Sequence, residues 1–233
     1  NLNLADLPEI SKSERVGACI VKPGKFVAIG LNYSDHAKET GAKTPTEPIV
    51  FMKATSSISG PYDDIEMPKD SSKLDWEVEL AIVIGKETKN ISEKEVSDHI
   101  LGYCIVNDVS EREWQLEKSG QWVKGKSGDT FGPTGPYLVT QDEIPDINNL
   151  NLILEVNGKK MQSGNTKNMI FNVNFLISYL SKFMSLQPGD LITTGTPAGV
   201  GMGMKPQVFL KSGDNIKLSI DFLGEQNSKV VIK

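Results

Sequence analysis

Cysteine and histidine are scarce in this chain, with two of each among 233 residues. Cys19 and Cys104 stand apart, with no Cys-x-x-Cys pair and no companion histidines. That argues against a zinc site or a disulfide framework and fits two reduced thiols serving as small buried hydrophobes. No apolar run approaches the roughly 20 residues needed to span a bilayer, and no basic-then-apolar signal segment opens the chain. No membrane association and a cytoplasmic location are therefore expected. The basic residues are scattered and the formal net charge is -5, so the positive patch of a nucleic-acid-binding surface is missing. Internal repeats and low-complexity linkers are missing too. What remains is ordinary globular composition, 38% hydrophobic and 24% charged, sufficient for one large core.

Turn signals recur every ten to fifteen residues or so: Pro23-Gly24, Gly60-Pro61, Asn157-Gly158, Pro188-Gly189-Asp190 and Ser212-Gly213-Asp214. The β-branched and apolar runs between them predict strands at Phe26 to Leu31, Trp76 to Ile84, Gly102 to Asp108, Tyr137 to Thr140, Leu152 to Val156, Leu191 to Thr194, Asn215 to Asp221 and Lys229 to Ile232. Asn157-Gly158 is the favoured two-residue hairpin turn. Ser92 and Glu95 match a capping box before a short helix ending near His99. Ile170, Val173, Ile177, Leu180 and Met184 follow the spacing of a buried helical stripe. Long βα alternation is absent, which points to an α+β fold, mostly β, with a mixed sheet or β-roll.

Strand alternation from Trp76 to Ile84 sends Trp76, Val78, Leu80, Ile82 and Ile84 to one face and Glu77, Glu79, Ala81 and Val83 to the other. An apolar strand of this kind belongs inside a sheet, where two adjacent glutamates repel unless a cation or protons intervene. Read alone, the pair fits more simply an edge strand whose glutamates face water. Asp108 ends another apolar strand, where side chains from neighbouring strands can converge. Three carboxylates with no clustered His or Cys suit Mg²⁺, Mn²⁺ or Ca²⁺ rather than zinc. His36 and Glu39 stand at the i, i+3 spacing of one helical face, the arrangement of a general base and its orienting carboxylate, or of a plain surface pair. The polar segment from Asp35 to Pro48 has few apolar anchors and reads as a mobile lid. Gly120 to Ser127 matches the phosphate-loop pattern G-x-x-x-x-G-K-S, yet it follows a polar stretch and precedes Gly128, Gly132 and Gly135, which cannot sustain the required helix. Gly195 to Gly203, after an apolar strand, permits close backbone approach to a ligand.

Five stretches taken together resemble the fumarylacetoacetate hydrolase family: Gly30-Leu31-Asn32-Tyr33 with His36 and Glu39, Asp75 to Leu80, Asn107 to Arg112, Gly125 to Pro133, and Thr194 to Gly201. The resemblance runs from about Ala28 to the C-terminus. It is nearest to the bacterial branch of acylpyruvate hydrolases, diketo-deoxy-sugar-acid hydrolases and proteins labelled ureidoglycolate lyase. It implies the family's β-roll in residues 16–233, with residues 1–15 as the remnant of a small N-terminal region. It also implies Glu77, Glu79 and Asp108 as metal ligands, His36 and Glu39 as the water-activating dyad, and Lys126 as the cation beside the substrate. Arg112, Gln162 and Thr196 are implied as substrate contacts, and Lys53 as a further residue lining the pocket. The activity implied is Mg²⁺-dependent (or Mn²⁺- or Ca²⁺-dependent) hydrolysis of a carbon–carbon bond in a small 2-oxo or β-diketo acid, by a homodimer or larger homo-oligomer. A lyase, isomerase or oxaloacetate decarboxylase would use the same centre. A silent metal-binding module is the non-enzymatic alternative.

Overall fold

Val78–Ile84 is buried along its whole length and lies inside a six-stranded mixed sheet. The strand order is Val139–Thr140, Ile100–Asn107, Val78–Ile84, Leu191–Thr193, Phe26–Gly30, Ile49–Lys53. Both neighbours of Val78–Ile84 run antiparallel to it, whereas Leu191–Thr193 runs parallel to Phe26–Gly30. A strand apolar on both faces needs cover on both, and it has that cover. Val78, Leu80, Ile82 and Ile84 enter the main core beside Leu152, Leu154, Ile216 and Leu218 of a second sheet. Ala81 and Val83, on the opposite face, join Phe26, Cys104, Val106 and Leu191 in a smaller cluster. The acidic face of the strand thus has an apolar floor. The computed structural model describes residues 7–11 and 13–232; residues 1–6 and 12 of the expected N-terminal remnant lie outside these.

The second sheet has five strands in the order Lys159–Asn165, Asn151–Val156, Asn215–Ile220, Gly224–Ile232, Ile65–Met67, antiparallel except for the last pair. Asn157 and Gly158 both take positive φ, 52° and 75°, as the expected hairpin turn requires. Gln226 ties the two sheets together, its Nε2 lying within 3.1 Å of the carbonyls of Ile105, Pro133 and Gly135. The helix Val173–Phe183 is capped by Asn172, whose side chain accepts from the Phe175 N–H at 2.9 Å. Val173, Ile177 and Leu180 of its predicted stripe are buried.

Three differences from the sequence-based expectation have physical causes. The strand predicted from Trp76 begins only at Val78, because the Asn107 side chain takes the Glu77 N–H and interrupts the ladder, while Leu74–Asp75 pairs separately with Ser110–Glu111. Ser92 and Glu95 do bond to each other, yet only one short 3₁₀ turn, Val96–His99, follows, since the next strand already starts at Ile100. The strands Ile49–Lys53, Ile65–Met67 and Lys159–Asn165 went unpredicted. The last carries no β-branched residue and is held by its hairpin partner rather than by propensity.

Candidate active site

The break before Val78 places Glu77 just ahead of the strand and Glu79 within it, and Asp108 follows the adjoining strand Ile100–Asn107. The Asp108 N–H donates to the Glu77 carbonyl at 2.9 Å, which locks the two strand ends side by side. As a result Glu77, Glu79 and Asp108, all buried, each offer an oxygen within 4.8 Å of the others. Oxygens that share one cation at roughly 2.0–2.6 Å can be no more than about 4–5 Å apart, so this spacing suits a single hard cation.

Two buried cations flank the acids. Lys126 Nζ donates to Glu77 Oε2 and Asp108 Oδ2, both at 2.7 Å. Arg112 donates through Nη2 to Glu77 Oε1 at 2.6 Å, through Nε to Asp75 Oδ2 at 2.8 Å and through Nη1 to Gln115 Oε1 at 3.0 Å. The lysine of the phosphate-loop pattern therefore points at carboxylates, from a four-residue helix, Val123–Lys126, too short for a phosphate cradle. Asp75 was not assigned a role from sequence. It is fully buried and also accepts the N–H groups of Gly201 at 2.7 Å and Met202 at 3.0 Å, so it joins Arg112 to the glycine-rich loop. The signal available for it was an acid beside a Trp in an otherwise apolar stretch.

The dyad enters from the helix Ser34–Thr40, with His36 Nδ1 3.4 Å from Glu39 Oε2. Both oxygens of Glu39 accept the Gly199 N–H at 3.0 Å. This half of the expected lid is anchored: Tyr33, His36 and Ala37 are buried, and Asn32 beside them bonds to Thr194 and Phe171. The remainder, from Gly41 to Glu47, is largely exposed. His36, Glu77, Glu79, Asp108, Arg112, Lys126 and Thr196 line one cavity of about 180 Å³.

Two expected substrate contacts do not reach that cavity. Lys53 lies behind Asp108, donating to Asp108 Oδ1 at 2.6 Å and to the Lys126 carbonyl, with its side chain fully enclosed. Gln162 is spent on scaffolding: its carbonyl oxygen accepts from the Val78 N–H at 3.0 Å, and its amide donates to Thr196 Oγ1 and the Pro197 carbonyl, each at 2.8 Å. Thr196 does face the cavity, although its hydroxyl also donates to the Val78 carbonyl at 2.9 Å. The sequence reading missed the cavity-lining Gln115, Phe51 and Trp122.

Electrostatics separates the two glutamates. Burial would push the Glu77 carboxyl up, but Arg112 and Lys126 outweigh it and hold the group well below the usual range. Glu79 is driven well above that range by burial and by the charges of Asp108 and Glu77, and the single N–H of Gly195 at 2.9 Å does not offset them. Among the described residues no Lys, Arg or His forms an ion pair with Glu79. Were all of Asp75, Glu77, Glu79 and Asp108 ionised they would outnumber Lys53, Arg112 and Lys126 by one negative charge, and Glu79, which has no ion-pair partner among those three, is the acid that most readily holds a proton instead. A divalent cation held by Glu77, Glu79 and Asp108 would reverse that imbalance.

Residues 25–231 match the family model described as fumarylacetoacetate (FAA) hydrolase C-terminal. A protein of Burkholderia ambifaria, provisionally named a hydrolase, is 60% identical over 223 residues, 95% of this chain and 79% of its own length. The solved structure of fumarylacetoacetate hydrolase from psychrophilic Exiguobacterium antarcticum is 40% identical, with a TM-score of 0.92 over 100% of this chain and 84% of the other. A 2-hydroxyhepta-2,4-diene-1,7-dioate isomerase from Mycobacterium marinum is also 40% identical, with a TM-score of 0.82 over 93% of this chain and 77% of the other. On its sequence, its fold and the acid cluster at its centre, the chain belongs to the fumarylacetoacetate hydrolase family.

Proposed function

We propose that this protein hydrolyses a carbon–carbon bond in a small 2-oxo or β-diketo acid of the acylpyruvate type, with a divalent cation such as Mg²⁺ held by Glu77, Glu79 and Asp108. The observation that carries the reading is the opening of a three-carboxylate cluster and of His36, backed by Glu39, onto one small cavity. When bound, the cation supplies Lewis-acid polarisation of the substrate's 2-oxo group and a sink for the charge released on cleavage. With Nδ1 turned toward Glu39, His36 keeps Nε2 free to accept a proton from water. The hydroxide adds to the distal carbonyl carbon, the carbon–carbon bond breaks with its electron pair going to the pyruvate side, and the proton held on His36 passes to the former methylene carbon, which becomes the methyl group of pyruvate. The products are a carboxylic acid and pyruvate. Arg112 carries five N–H donors and gives three to protein acceptors, which leaves two for the substrate carboxylate, and Lys126 retains one of three.

The resemblance to an isomerase supports a second reading, in which the same centre moves a proton without adding water. Variants separate them. His36→Ala and Glu39→Gln are expected to lower acylpyruvate hydrolysis about 10²–10⁴-fold while sparing oxaloacetate decarboxylation, which needs no attacking hydroxide. Equal loss of both activities contradicts the water-activating role, and turnover of no acylpyruvate with Mg²⁺ sinks the proposal. We also place the protein in the cytoplasm as a homodimer or larger homo-oligomer. Support for assembly comes from the stacked aromatic row of half-buried Phe175 and Tyr179 and exposed Phe183, next to the edge strand with Val50 and Met52 exposed. Light scattering is expected to give a multiple of the 25.5 kDa chain, and a monomer would refute it.

A further inference from the structure

The cavity has two chemically distinct ends. Acids, His36, Arg112 and Lys126 gather at one end; among the described residues the last two are the only lysine or arginine side chains in the lining, and both are already engaged with Glu77. Apart from the uncharged Thr40, Gln115 and Thr196, the rest of the wall is apolar, built mainly of Ile29, Leu31, Phe51, Leu116, Trp122 and Met202. This wall is built rather than incidental. Trp122 meets Phe51 edge to face, with ring centroids 5.2 Å apart, and lies so close over Gly30 that a Cβ there would come within 2.6 Å of its ring. Phe51 in turn lies 5.1 Å beneath the Lys126 ammonium, so the aromatic pair starts where the charged end stops.

Resting on the function proposed above, we infer that the substrate is a monocarboxylate whose distal group is a short apolar chain or ring, and that a second, distal carboxylate is rejected. The charged end takes the 2-oxo carboxylate. A carboxylate at the far end of the substrate would lose its hydration against aromatic and aliphatic side chains with no cation to replace it, which is costly. A methyl or methylene placed there gains by leaving water. At about 180 Å³ the cavity is smaller than the ~300–1,000 Å³ typical of drug-sized ligands, so the apolar group is short. By this reading the chain differs in substrate class from a dioate-specific relative such as the isomerase of Mycobacterium marinum.

Binding tests this without relying on turnover. Calorimetric titration with Mg²⁺ present compares 2-oxoheptanoate with 2-oxoadipate, near-isosteres that differ in the distal group. The monoacid is expected to bind about tenfold tighter or more. Leu116→Lys, at an exposed position on the cavity mouth, is expected to narrow or reverse that preference by supplying a cation. Trp122→Leu is expected to weaken 2-oxoheptanoate more than pyruvate. Equal or tighter binding of 2-oxoadipate by the unaltered protein overturns the inference, as does failure to bind either acid. A protein that prefers the monoacid yet hydrolyses no acylpyruvate would leave the inference standing and refute the proposed reaction.

Discussion

Glu77 and Glu79 are two residues apart, one just ahead of the strand and one within it, yet their partners make them opposites. Glu77 is one of two carboxylate partners for both Arg112 and Lys126, so Glu77→Ala leaves each buried cation half-paired, with Asp75 and Asp108 respectively, and is expected to destabilise the metal-free fold by about 1–3 kcal/mol. At Glu79 burial and the charges of Asp108 and Glu77 outweigh the attraction of Lys126 and the Gly195 N–H, so metal-free Glu79→Gln is expected to be more stable than the parent by about 1 kcal/mol or more. The pH dependence has a definite sign. Between the ordinary glutamate pKa and its raised folded value, Glu79 binds more protons in the folded chain, so its contribution makes stability fall as pH rises through that window. Glu77, with a depressed folded value, contributes stability above the ordinary pKa that is lost as pH falls below it. Urea unfolding in EDTA across pH is expected to show a shallower decline for Glu79→Gln than for the parent. Parallel curves would mean that Glu79 is not the strained group.

At the level of elements, the site is a junction between the helix Ser34–Thr40 and the loop after Leu191–Thr193. Glu39 is held by Gly199, and Gly203 packs so near that an added Cβ would sit 2.5 Å from Glu39 Cδ. The atom in the way is the end of a flexible side chain, so Glu39 rather than the backbone would give way. Gly203→Ala is therefore expected to lower hydrolysis by about 10–10²-fold through misplacement of the dyad, with stability changed by no more than about 0.5 kcal/mol. Thermal unfolding and kinetics together check it, and a large loss of stability would make Gly203 a structural glycine instead. Gly199 itself has φ 105° and faces the Met161 carbonyl, so that position admits no side chain.

Across the whole molecule, the acid cluster joins two central strands of the larger sheet, and Lys53, Arg112 and Lys126 bring three further segments to it. A cation bound there acts on the folded state alone. Mg²⁺ at 100 times its dissociation constant is expected to stabilise the protein by about 2.7 kcal/mol, read as a rise in Tm that EDTA reverses. The rise should vanish in Asp108→Ala. An unchanged Tm in the parent over millimolar Mg²⁺ would exclude tight binding at this cluster.

Local periodicity determined much of this protein. Alternation with period two sets Glu77 and Glu79 on one face, apolar residues on both sides of Val78–Ile84 mark an interior strand, and three-residue helical spacing pairs His36 with Glu39. These properties hold whatever the strand meets. Which charges face one another was decided by sheet order and by the ladder break at Asn107, and contacts between distant residues carry no local signature. Cys19 and Cys104, far apart in sequence, meet in one apolar cluster for that reason. For the same reason Lys53 and Gln162, polar residues that sequence places at the substrate, stand behind Asp108 and Thr196. Asp75, set beside the acid pair in sequence, turns away to hold Arg112 and the backbone of the glycine-rich loop, because only the tertiary fold brings those donors to it.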